Sequence, residues 1–220
     1  MSKKFSVKQL KSPDQVFKAM LTFVNYLRNN VKVYLMFSAV IVVVTLAYVL
    51  INHFANVRQD KAMTTFYQLS KGIREQNSTD PSVNIGIIES KLKELGSSRA
   101  GVEARYMLAE LYYETSQWDK AIDNYGYVLK NSKGLIKELS YMGIAYSFEA
   151  KGDIQGALDN FKHLSQIKVG AYKAISMLGV ARCYKKLGDS IKAASAYEYV
   201  IKMYPDTDYA KMAAVSKVEL

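Results

Sequence analysis

Residues able to do covalent or metal chemistry are scarce in this sequence. It holds one cysteine and two histidines. Cys183 sits just before Tyr184 in a helical pattern with no histidine at motif spacing, so it reads as a small packing residue and not a nucleophile. A single cysteine also excludes an internal disulfide framework and any multi-cysteine metal cluster. His53 follows an apolar run, where an amphipathic ring is comfortable, and His163 lies among Lys and Gln. Neither belongs to H-E-x-x-H or a comparable ligand pattern, and no phosphate-cradling glycine motif occurs. Gly152 and Gly156, separated by Asp-Ile-Gln, fit a helical turn better than a phosphate loop, and Asn77-Ser78-Thr79 matches a glycosylation acceptor only formally. These residues predict no enzyme, no cofactor and no small-molecule substrate. What remains is binding chemistry, carried by tyrosine, methionine and charge.

The elements that would position such side chains show themselves as a repeat. Ala121, Ala157 and Ala193 are spaced 36 residues apart. The same register aligns Ala109, Ala145 and Ala181, then Tyr112, Phe148 and Tyr184, then Tyr125, Phe161 and Tyr197. Small residues let two helices approach, and aromatic rings fill the space around the contact. Ser116-Gln117, Gly152-Asp153 and Gly188-Asp189 fall between the halves of each unit. There, glycine supplies a left-handed helix end and aspartate caps the next helix. Trp118 opens a second helix and is expected to pack over the turn, while Pro205-Asp206 stops the last one. Upstream, Ala62 to Glu75 and Val83 to Leu95 have helical spacing on either side of an Asn77–Pro81 loop, an irregular first hairpin. Tyr209 to Val218 reads as a capping helix, which repeat arrays need to cover an end. The fold class is all-α, a solenoid of helical hairpins.

This pattern resembles the tetratricopeptide repeat (TPR), whose period is about 34 residues. The matching stretches are Met107 to Tyr112 with Asp119 to Tyr125, Gly143 to Phe148 with Gly152 to Phe161, and Met177 to Tyr184 with Leu187 to Tyr197 and Met203 to Thr207. Departures are the longer period, Arg105, Tyr141 and Met177 where the family has Trp, and a terminal Pro in the third unit alone. The resemblance implies a concave face lined by the first helix of each unit. By register these are Glu103, Tyr106, Glu110, Tyr113 and Glu114, then Leu139, Met142, Tyr146 and Glu149, then Ile175, Leu178, Arg182, Lys185 and Lys186. Such a groove would be acidic at one end, apolar in the middle and basic at the other, suited to an extended or helical peptide. An ordinary solvated helix face is the alternative. Tyr106 and Glu110 stand where carboxylate-clamp members of the family place Lys and Asn, so a clamp is not expected.

Charge and hydropathy place the repeat. Of 220 residues, 30 are Lys or Arg and 20 Asp or Glu, and the pI is about 9.4. Half the residues are apolar, with only 12 Gly and 3 Pro, which excludes a wholly disordered or collagen-like chain. Residues 1–32 hold seven basic residues against Asp14, a net of +6, leaving +4 for the other 188. That excess flanks Val33 to Ile51, an uncharged run of 19 residues, which points to a membrane and not to nucleic acid. As a helix it would span about 28 Å, matching a hydrocarbon core. Val40 to Thr45 is β-branched throughout, but lipid imposes helix whatever the propensity. No small-x-small cleavage site follows, so the run reads as an uncleaved signal anchor with its N-terminus cytoplasmic. Ser12-Pro13-Asp14 resembles a helix start, followed by apolar residues at helical spacing from Val16 to Leu27. They make either an amphipathic helix on the inner leaflet or an extension of the anchor.

The expected organisation is a basic N-terminal segment (1–32), the anchor (33–54), the irregular hairpin (55–100), three TPR-like units (101–207) and a capping helix (208–220). In order of parts it resembles the ancillary Sec-translocon subunit family of bacterial inner-membrane proteins. That resemblance implies a periplasmic TPR domain meeting the Sec translocon and periplasmic chaperones. The expected function is a membrane-anchored protein-interaction adaptor for export, folding or envelope assembly. A scaffold subunit using its convex face or its span is the alternative.

Overall fold

The computed structural model describes residues 13–75, 80–167 and 172–220. Every element among them is helical: α1 (Pro13–Asn29), α2 (Val31–Glu75), α3 (Pro81–Leu95), α4 (Arg99–Glu114), α5 (Trp118–Asn131), α6 (Leu135–Lys151), α7 (Ile154–Ser165), α8 (Lys173–Lys186), α9 (Ser190–Met203) and α10 (Asp208–Val218). The chain divides into two compact units, Met1–Val57 and Arg58–Leu220.

In the first unit, α1 exposes Phe17, Met20, Leu21, Val24 and Leu27, and a turn at Asn30 separates it from α2. The Tyr26 and Tyr34 rings meet edge to face across that turn, 6.5 Å apart. Ser12, the expected cap, lies outside the described residues. α2 is long and apolar enough to cross a membrane, with its apolar stretch exposed. Sequence spacing predicted a separate helix from Ala62, whereas α2 runs unbroken to Glu75. Nothing between Ile51 and Ala62 breaks a helix, since neither Pro nor Gly occurs there.

The second unit is a stack of hairpins in which α4 packs on α5, α5 on α6, α6 on α7, α7 on α8 and α8 on α9. Residues 77–79 of the Asn77–Pro81 loop, with Gln76 before them, are outside the described set. Past them, the Asp80 side chain accepts the Ser82 amide and Pro81 opens α3, two residues ahead of the expected start. Ser98 caps α4 through the Gly101 amide at 3.1 Å. Ala109, Ala145 and Ala181 are fully buried, as are Ala121, Ala157 and Ala193. Tyr125, Phe161 and Tyr197 fill the core beside them, with Phe148 and Tyr184 half-buried. The turns hold positive φ at Ser116 (60°), Gly152 (92°) and Gly188 (79°). Asp153 and Asp189 then accept the Gly156 and Lys192 amides at 2.9 and 3.1 Å. Gln117, in the same place, makes no capping bond to α5.

Two rings set the spacing between successive units. The Tyr125 ring lies over Gly143 and the Phe161 ring over Gly179, where an added Cβ would come within 2.4 and 2.6 Å of ring carbons. α10 packs on α9 and α8. It keeps the 36-residue register but puts Ser216 where Leu108, Ile144 and Val180 stand, and Lys217 where the fully buried alanines stand. The Lys217 ammonium turns instead to Glu198, at 2.9 Å.

The glycine contact gives a paired prediction. Gly126→Ala, with open space around it, should gain about 1 kcal/mol from helix propensity alone. Gly143→Ala gains the same propensity but meets a buried ring, and overpacking should turn it into a net loss of about 1 kcal/mol or more. Thermal melts of both variants read this. A higher Tm for Gly143→Ala would show that Tyr125 is free to move aside.

A candidate peptide groove on the first helices

The first helices of the three units place the register residues in different settings. Between α4 and the start of α6 opens a cavity of about 630 Å³. Glu103, Tyr106 and Leu139 line it together with Val102, Ile136 and Leu135. Tyr106 is half-buried, its ring edge-on to Tyr125 with centroids 5.6 Å apart. Burial, followed by the nearby Glu110 charge, holds its pKa well above the ordinary tyrosine value. One helical turn on, solvent reaches Glu110, yet the surrounding wall desolvates its carboxyl. That burial raises its pKa, the nearby Tyr106 hydroxyl works against the rise, and the nearby Glu114 adds to it. Tyr113 packs edge-on against Trp118 at 5.1 Å, so Trp118 covers the turn and buttresses the wall.

The middle of the face is half-buried Met142 and Tyr146. Tyr146 lies edge-on to Phe161 at 5.2 Å, and the Arg182 guanidinium stands 5.8 Å from its ring centre. Glu149, whose side chain is 10 % exposed, receives three charged hydrogen bonds. Arg182 grips it in a fork, Nε to Oε1 at 2.7 Å and Nη2 to Oε2 at 2.6 Å, and Lys186 adds one at 2.8 Å. Burial alone would raise the Glu149 pKa, but the bonds from Arg182 and Lys186 outweigh it and hold the pKa below its ordinary value. Lys185 reaches Glu219 at 3.2 Å, and Glu103 is held by Arg99 at 3.0 Å.

The acidic-to-basic gradient read from the sequence therefore needs correcting, because the cations of the third unit are taken up inside the chain. Leu178 also leaves the groove. It shares a register with Tyr106 and Met142 but is 5 % exposed, and its shorter side chain ends inside the core with Phe161 and Val180. Ile175 is half-buried on α8 and lines no described cavity.

Ile136 and Tyr172 were missed by the register. They stand 36 residues apart, at the position where the first unit has Ala100. Ile136 lines the cavity, and Tyr172 is half-buried at the start of α8. A large residue replacing a small one within the period was the available sign.

Elsewhere, Cys183 is fully buried, and burial pushes its thiol up to about 11, which leaves it protonated and inert. His163 is exposed and stacks on Tyr141 at 5.8 Å. A second cleft of about 610 Å³ lies between α2 and α3. Leu69, Ile73 and Ile87 line it, and its Glu94 is engaged by Lys91 and Thr65.

These hairpins are a TPR-type solenoid. The tetratricopeptide repeat family model matches residues 103–132 and 176–207, which cover α4–α5 and α8–α9 of the first and third units. Solved structures share the architecture. A Podosopora anserina chain described as kinesin light chain nearly identical TPR-like repeats is 12% identical, with 73% of this chain and 85% of that one covered and a TM-score of 0.57. A point variant of that chain has the same identity and coverage and a TM-score of 0.58. MamA protein is 17% identical over 72% of this chain and 84% of its own, with a TM-score of 0.55. At these identities the likeness is one of fold. No curated protein matches the sequence. The chain thus carries tetratricopeptide repeats, the kind of repeat that binds proteins or peptides.

The Glu149 clamp generates the prediction here. A carboxylate with a depressed folded pKa stabilises the fold above its unfolded pKa, and that contribution disappears as pH falls through the folded value. Glu149→Gln should cost about 1–2 kcal/mol at neutral pH, a figure reduced from fully buried pairs because both cations reach solvent. The gap in Tm from the parent should close as the buffer is taken down through pH 4 and below. A gap that stays constant with pH would assign the loss to packing.

Proposed function

We propose that this protein is a membrane-tethered adaptor whose TPR groove captures an extended or helical segment of another protein. The observation that carries the reading is the cavity between α4 and α6, where Tyr106, Ile136 and Leu139 offer an apolar slot beside exposed polar groups. A slot of that size admits the large side chains of a bound segment, the usual anchors of peptide recognition. Tethering through Val33 to Ile51 confines the groove to the membrane surface, so weak contacts act at high effective concentration.

The basic segment before the span favours a cytoplasmic N-terminus, which puts the repeats on the periplasmic face of a bacterial inner membrane. There the available clients are chains emerging from export, and the Sec translocon and periplasmic chaperones are the partners this reading names. Two experiments test it. Protease added to spheroplasts should digest the repeats, and protection would reverse the topology. Tyr106→Ala combined with Leu139→Ala should abolish crosslinking to translocon subunits or chaperones in native membranes while the helical circular dichroism persists. Unchanged recovery of those partners would move the contact to the convex face or the span.

A further inference from the structure

Among the register residues of the concave face, the charges are unequal once the chain's own pairs are removed. Glu103 is held by Arg99, Glu149 by Arg182 and Lys186, and Lys185 by Glu219. Among the described residues no ion pair takes up Glu110 or Glu114, which lie one and two turns along α4 from Tyr106, about 6 and 12 Å. Glu114 also raises the pKa of Glu110.

The repeat itself shows how this groove holds a cation. Between the second and third units the Arg182 guanidinium sits against the Glu149 carboxylate and the Tyr146 ring. One period earlier the same two register positions are Tyr113 and Tyr146, so the ion pair is replaced by two tyrosines. Glu110 and Glu114 flank Tyr113 there. Carboxylates and rings are present at this earlier step too, at other register positions, and among the described residues no ion pair brings those carboxylates a cation.

We propose that Glu110, Glu114 and the rings of Tyr106 and Tyr113 receive a Lys or Arg side chain of the bound segment, next to an apolar side chain in the α4–α6 cavity. The inference rests on the groove reading above and sharpens it, because the client segment is then both apolar and basic. A cation over tyrosine faces and beside carboxylates gains from both, and an acidic segment meets repulsion.

The test uses the full-length chain in a non-ionic detergent and three fluorescent peptides of equal length, alternating Leu with Lys, Ser or Glu. Anisotropy titrations should show the Leu–Lys peptide binding about tenfold more tightly than Leu–Ser, with Leu–Glu weakest and the preference falling as salt rises. Glu110→Gln with Glu114→Gln should remove the preference for lysine, bringing the Leu–Lys affinity to that of Leu–Ser. Glu110→Lys with Glu114→Lys, checked for helicity, should reverse it in favour of Leu–Glu. Equal affinity for all three peptides, or a lysine preference that survives the Gln pair, overturns this proposal while leaving the groove in place. No binding of any peptide overturns the groove reading along with it.

Discussion

The contact on which the solenoid depends is the one between paired helices through alanine. In each unit one methyl side chain from the first helix and one from the second are shut off from solvent, at Ala109 with Ala121, Ala145 with Ala157 and Ala181 with Ala193. A larger side chain at any of them would force the backbones apart and forfeit dispersion contacts along the whole hairpin. Close approach is also what lets Tyr125 and Phe161 reach the next unit and lie on Gly143 and Gly179. The first helices are thereby brought side by side, which turns separate amphipathic helices into one continuous wall.

That geometry was legible in the sequence because its cause is local and repeated. Small residues at fixed intervals, rings at fixed offsets and a glycine–aspartate turn each follow from a contact within one hairpin or with its neighbour. The uninterrupted α2 was less legible. The polar residues after Ile51 looked like a boundary, but a change of solvent is not a helix stop, and no breaker stands there. Leu178 was misplaced for a different reason. Register fixes the direction of a side chain but not its reach, and leucine falls short of where tyrosine and methionine emerge.

Charge was the least readable property of the groove. Counting residues gave a basic third unit, yet Arg182 and Lys186 close on Glu149 from 33 and 37 residues away. Lys185 likewise closes on Glu219. Only the superposed helices reveal which ions neutralise one another. Among the register residues of the concave wall, the members left without an ion pair are Glu110 and Glu114, opposite in sign to the chain's net charge of +10.

Lys217 gives the array a grammar of termination. It occupies, one period after Ala181, the place that must be tiny for a partner helix to nestle, and Glu198 keeps its ammonium occupied. A fourth hairpin built on α10 would have to bury that cation or evict it. A further hairpin packed on α10 would therefore first need a small residue in place of this lysine.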